Sequence, residues 1–172
     1  HKETYDTLFL TGLRIGELCA LRWCDLDLEH KKLSVRGSFS TASRKVTSPK
    51  TKTSIRTIDL PNRLVEELKQ RYERKKKLDG FNDNYYVFGD IAITWPGTFR
   101  YRFNNDLKNV NVKRITIHGF RHSHASYLLS NPMISESLVA ERLGHSIDML
   151  RSTYAHIYEK RRTALVEYIE KL

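Results

Sequence analysis

The stretch HGFRHSHASYLLSNPMISESLVAERLGHSIDMLRSTY, residues 118–154, reads as a succession of helices with two sharp breaks. Asn131-Pro132 supplies the first break, because proline lacks the backbone donor and its ring collides with the preceding turn, and Gly144 supplies the second. The expected helices cover about 118 to 130, 135 to 143 and 148 to 155, with a tail helix over 159–172. Working back toward the N-terminus, Thr98 to about Val110 reads as another helix, Gly80 to Asn84 as a loop and Tyr85 to Phe88 as a short extended piece. Pro61-Asn62 starts a helix through about Leu78, with Leu64, Val65, Leu68 and Tyr72 inward and a basic outer face ending in Lys75-Lys76-Lys77. Leu33 to Arg36 and Ser54 to Ile58 alternate as half-buried strands do, and the polar stretch between them adds a third strand near Lys45 to Thr47. Thr4 to Leu21 is helical with a break at Thr11-Gly12, beyond which Ile15 and Leu18 form an apolar stripe. The pattern predicts one α+β domain over 1–172, mostly α-helical with a small antiparallel three-stranded sheet.

The 172 residues carry 30 Lys+Arg against 20 Asp+Glu, a formal charge of +10, and 40% are hydrophobic. Residues 36 to 77 alone hold 13 Lys+Arg and 4 Asp+Glu, so nearly all of the excess sits on the sheet and the helix after it. Such a concentration gains affinity by releasing counterions condensed on nucleic acid, and a polyanionic partner is expected. Cys19 and Cys24 are too few for a disulfide framework and read as reduced thiols of a cytoplasmic protein. No apolar run approaches the roughly 18 residues that cross a bilayer, so no membrane role is expected. Tyr5, Leu8 and Phe9 fall at helical spacing with no capping residue ahead of Lys2, which reads as a chain opening inside a helix and hence a piece of a longer protein.

Three segments stand apart: Thr11-Gly12-Leu13-Arg14-Ile15-Gly16-Glu17-Leu18, His118-Gly119-Phe120-Arg121-His122, and Leu143-Gly144-His145 followed nine residues later by Tyr154. With the Lys-rich turn Pro49 to Thr53, their order and local sequence resemble the catalytic domain of the tyrosine recombinases, the integrases of phages and conjugative transposons. The resemblance covers essentially the whole chain. It implies a site-specific DNA recombinase of the breaking-rejoining fold, double-stranded DNA and other protomers as partners, no cofactor, and an additional N-terminal DNA-binding domain.

The residues make a physical case beside it. Cutting a phosphodiester without a metal needs a nucleophile, an acid for the leaving 5′ oxygen and fixed cations for the equatorial oxygens. Arg14 offers a planar fork to two phosphate oxygens, and Glu17, three residues on, orients it or caps nearby donors. Arg121 lies one turn after His118, so both can address one phosphate. His118 suits proton exchange with a tyrosine hydroxyl, since imidazole titrates near neutrality, and His145 is expected to donate a hydrogen bond to a non-bridging oxygen. His122, His124 and His156 are left without a catalytic role, and helical spacing puts His118 and His122 on one face with His124 pointing away, so the three do not converge on a zinc ion. Tyr154 is the nucleophile the resemblance implies, with Tyr158 its rival. Lys50, in the Pro-Lys-Thr of the resemblance, is the expected general acid, with Lys52 in reserve. Lys52, Arg44, Lys45 and Arg56 are expected to contact DNA. Leu165, Val166, Ile169 and Leu172 line one stripe of the tail, which the resemblance implies docks on a neighbouring subunit. A type IB topoisomerase and a non-catalytic DNA-binding module are the competing readings.

Overall fold

The computed structural model describes residues 1–48, 54–108 and 110–171. Helix α1 (Lys2–Thr11) ends at Gly12, whose φ of +69° closes the helix with an N–H to Leu8 O bond. A Cβ at Gly12 would stand 2.6 Å from the His124 ring and 2.9 Å from the Leu143 side chain, so glycine meets both a conformational and a spatial demand there. After buried Leu13 the chain enters α2 (Ile15–Ala20).

Among the described residues, five short strands follow: β1 (Leu26–Asp27), β2 (Lys32–Val35), β3 (Ser38–Ser40), β4 (Lys45–Thr47) and β5 (Arg56–Asp59). The three-stranded antiparallel sheet has the order β1-β2-β5, with Leu33 opposite Ile58 and Val35 opposite Arg56. Its third strand is therefore β1. The segment 45–47, expected in that place, pairs instead with β3 as a separate hairpin, Phe39 opposite Val46. Phe39 is buried while all of β4 is exposed, so this hairpin has one anchored strand and one open to solvent.

The remaining helices are α3 (Asn62–Lys75), α4 (Pro96–Lys108), α5 (Ile117–Ser130), α6 (Glu136–Leu143), α7 (Ile147–Thr153) and α8 (Ala155–Ile169). Hydroxyl caps start three of them: Thr116 accepts from Gly119 N–H at α5, Ser135 from Leu138 N–H at α6, and Ser146 from Met149 N–H at α7. Gly144, at φ +64°, ends α6. Helix α3 stops three residues short of the expected end, with Leu64, Val65 and Leu68 buried and Tyr72 half-buried against Trp23. The tail helix begins at Ala155, four residues earlier than expected, directly after Tyr154.

The described residues form two apolar clusters. The larger joins α1, α2, the sheet, α3 and α4 through residues such as Leu8, Leu18, Leu33, Ile58, Leu64 and Phe103. The smaller joins α5, α6 and α7 through Ala125, Leu129, Val139, Leu143, Leu150 and Tyr154. Helix α5 belongs to both, since Ile117 packs in the first and Ala125 and Leu129 in the second. Arg121 lies between them in the helix. No helix among the described residues is long and apolar enough to cross a membrane.

Candidate active site

The turn at Gly12 leaves Arg14 extended at the start of α2, and Glu17 reaches back to its backbone N–H at 2.8 Å. The same carboxylate accepts from the Arg14 guanidinium at 3.0 Å. With 35% of the Arg14 side chain accessible, its outer edge faces solvent and can meet an anion. Burial works against the Glu17 charge, yet the hydrogen bonds and charge of Arg56, with Arg14 adding, hold its carboxyl below the usual range.

Arg121 is 2% exposed. Its guanidinium donates to Gly12 O and to Leu143 O, both at 2.6 Å, and to His145 Nε2 at 2.8 Å. The two carbonyls come from the ends of α1 and α6, so this one side chain ties the larger cluster to the smaller. Burial, then the nearby Arg14 charge, lowers its pKa to about 9, which leaves it charged at neutral pH.

His145 follows the glycine that ends α6. Arginine has no acceptor, so His145 Nε2 accepts from Arg121 and the ring proton sits on Nδ1, which is buried without a partner among the described residues. Burial, followed by the Arg121 and Arg14 charges, pushes its pKa down to about 4, so the ring is neutral at pH 7.

Tyr154 closes α7 and opens α8, and only 3% of it is exposed. Its hydroxyl lies 3.1 Å from His122 Nδ1. His118, expected in that place, packs edge-on against the His122 ring at 4.7 Å. His122 is therefore the residue that sequence reasoning missed; its spacing of four from His118 on one helix was the signal that both face the site. The His118 pKa is lowered, first by burial and then by the His122, Arg121 and Arg14 charges. The Tyr154 pKa is raised by burial, against the pull of Arg121, so its hydroxyl is protonated at neutral pH. Tyr158 stands elsewhere, in a groove of about 640 Å³ shared with Pro132, Glu136 and Arg161.

The structure thus brings Arg14, His118, Arg121, His145 and Tyr154 together. Lys50 and Lys52 lie outside the described residues. Arg44 and Lys45 are exposed near the tip of the β3–β4 hairpin, with Arg44 stacked 5.8 Å from the Trp95 ring centre. Arg56, expected on the DNA-contacting surface, is instead turned inward: its side chain is 3% exposed and bonded to Glu17. Strand alternation explains this, because Arg56 shares the core-facing side of β5 with Ile58.

His124 is fixed by structure alone. Buried at 6% exposure, it accepts from Arg142 Nε at 3.1 Å, while Arg142 also donates to Leu10 O at 2.9 Å. Burial and then the Arg142 charge, opposed by a backbone hydrogen bond with Phe9, bring its pKa to about 4, from 6.5. Between those values the unfolded chain binds the extra proton, so stability is full above pH 6.5 and falls as pH drops toward 4. The loss from this residue is expected to be on the order of 3 kcal/mol. Urea titrations at pH 7 and pH 4.5 of wild type and His124→Gln check it: the variant should lose less stability over that interval.

A family profile described as "Phage integrase family" matches residues 2–161. The chain is 30% identical over 182 residues to the ICEBs1 integrase of Bacillus subtilis, covering 99% of this chain and 49% of that protein. It is also 30% identical over 193 residues to a XerC-like tyrosine recombinase of Caldanaerobacter subterraneus, again covering 99% of this chain and 49% of that protein. The chain therefore spans about half the length of these curated relatives. Among solved structures, the Tn1549 transposon integrase in complex with circular intermediate DNA superposes with a TM-score of 0.72 at 25% identity, covering 98% of this chain and 59% of that one. Motif order, helical architecture and profile agree, and the chain belongs to the phage integrase family, the tyrosine recombinases.

Proposed function

We propose that this chain is the catalytic part of a site-specific DNA recombinase that cuts and rejoins strands through a 3′-phosphotyrosyl intermediate. The observation that carries the reading is the Tyr154 hydroxyl 3.1 Å from His122, a residue of the helix that also carries His118 and buried Arg121. The Tyr154 oxygen attacks phosphorus, its proton passes to the adjacent imidazole, and the bond from phosphorus to the 5′ oxygen breaks. The 5′ oxygen takes a proton from Lys50, or from Lys52 in reserve. Arg14 and Arg121 hold the non-bridging oxygens, where preorganised donors act most strongly on developing charge. A 5′ hydroxyl then attacks the phosphotyrosyl bond in reverse, which regenerates the tyrosine and seals the strand.

Double-stranded DNA is the partner that the basic surface fits, with Arg44 and Lys45 exposed to contact it. The relative named above was solved on DNA. Leu165, Val166, Tyr168 and Ile169 of α8 are each more than half exposed, and α8 buries no residue, which supports a tail that docks on another protomer of the synaptic assembly. The place of action in this reading is the cytoplasm.

Incubation with a nicked suicide substrate carrying attachment-site DNA, in EDTA, should give a denaturation-resistant adduct that peptide mass maps to Tyr154. Absence of any adduct on validated attachment-site DNA would leave a DNA-binding module. His122→Asn is expected to slow adduct formation by about 100-fold, the lower range of general acid-base contributions, with partial recovery in added imidazole. An unchanged single-turnover rate would return the proton transfer to His118.

A further inference from the structure

Arg56 has no part in the chemistry described above, yet its contacts fall on the two supports of that chemistry. One support is Glu17. Each of its oxygens takes one bond from Arg14 and one from Arg56: Oε1 accepts from Arg14 NH1 at 3.0 Å and Arg56 NH1 at 3.1 Å, Oε2 from the Arg14 backbone N–H at 2.8 Å and Arg56 NH2 at 2.9 Å. The other support is the end of α6. Arg56 Nε donates to Arg142 O at 2.7 Å, and the next carbonyl in the chain, Leu143 O, receives Arg121 NH2. A further bond from Arg56 NH1 to Ser54 O, 3.2 Å long, ties the guanidinium to its own strand.

From this geometry we infer that Arg56 is a positioning residue of the phosphate site, holding Glu17 and the end of α6 in the places from which they aim Arg14 and Arg121. The physical reason lies in Glu17. A carboxylate whose side chain is 4% exposed requires compensation for its charge. With Arg56 present, four donors surround it and Arg14 spends one guanidinium nitrogen on it. Without Arg56, the carboxylate keeps only Arg14, and the stronger pull draws that guanidinium inward from the face where a phosphate arrives. The freed Arg142 carbonyl loosens the turn that carries Leu143, so Arg121 loses its aim at the same time. Arginine is required because one planar fork bonds two carboxylate oxygens and a carbonyl on its third edge; lysine reaches only part of this set.

This inference rests on the recombinase reading of the site, and its test keeps the two apart. Arg56→Met and Arg56→Lys are compared with wild type for single-turnover adduct formation on the suicide substrate and for DNA affinity by anisotropy. In parallel, the Arg14 and Arg121 guanidinium resonances of each variant are recorded by NMR on arginine-labelled protein, without DNA. Arg56→Met is expected to form adduct at least 100-fold more slowly with DNA affinity within about 3-fold, with both guanidinium resonances displaced. Arg56→Lys is expected to recover about a tenth of the wild-type rate. A purely structural role predicts instead that rate and affinity fall together with the folded fraction. A folded Arg56→Met protein with wild-type rate, or with both resonances unmoved, overturns the inference. If Arg56→Met does not fold, Arg56→Lys decides: a wild-type rate with unmoved resonances overturns it. Should wild type itself form no adduct, the recombinase reading fails, and the resonances alone decide for or against the positioning of Arg14 and Arg121.

Discussion

Tyr154→Phe is expected to abolish the covalent adduct and leave DNA affinity and folding nearly intact. The ring packs in the smaller cluster with Ala125, Leu129, Leu143 and Leu150, and phenylalanine fills the same space. Its hydroxyl has one partner among the described residues, His122, which is itself solvent-exposed, so removing the oxygen strands no buried group. The stability change is therefore expected to stay within about 1 kcal/mol. The chemistry, by contrast, loses its nucleophile outright. A denaturing gel of the suicide-substrate reaction reads the adduct, and anisotropy at fixed salt reads affinity. An adduct that persisted in Tyr154→Phe would transfer the role to another tyrosine. Tyr158 would be first in line, and it would have to leave the groove beside Glu136 and Arg161 to reach the arginines.

The second large effect is expected of Arg121→Lys, which keeps a cation and changes its shape. Arg121 satisfies Gly12 O, Leu143 O and His145 Nε2 from one planar group, and an ammonium on a flexible stem cannot meet three partners spread over three elements. Each buried carbonyl left without a donor costs about 1–3 kcal/mol, so the variant is expected to be less stable by a few kcal/mol in urea unfolding. Adduct formation is expected to fall further than folding does, by about 100- to 1,000-fold, the usual loss when one preorganised donor is removed from a developing charge. The same burial and the same Arg14 charge that bring Arg121 to about 9 act on an amine that starts lower, near 10.5 in water. The Arg121→Lys rate should therefore decline as pH rises above neutrality, while the wild-type arginine stays charged. A variant that captured DNA at the wild-type rate across that range would remove Arg121 from the site.

Much of this was legible before any fold was known. Gly12 and Gly144 mark helix ends in the sequence because both positions adopt the left-handed backbone that glycine tolerates, and the two catalytic candidates that follow, Arg14 and His145, inherit their places from those turns. The hydroxyls of Ser135 and Ser146 start α6 and α7 for an equally local reason, although the expected start of α7, about 148, fell one residue late. Local signals were weaker in the strands. Three-residue β4 has no buried side and so carries no register information, which is why its pairing with β3, and not with β2 or β5, could not be read from alternation.

The sequence by itself determined which residue types are present for phosphoryl chemistry, their order along the chain, and the helices that carry them, because helix periodicity, caps and breaks are properties of neighbouring residues. Only the tertiary structure decided which imidazole meets Tyr154, which nitrogen of His145 is spent on Arg121, and that Arg56 turns inward to Glu17. Those outcomes depend on pairings between residues such as Arg56 and Glu17, or His122 and Tyr154, that lie 39 and 32 positions apart. A buried charge or ring nitrogen takes whichever partner packing brings within about 3 Å, and that proximity is set by how the two apolar clusters close around Arg121.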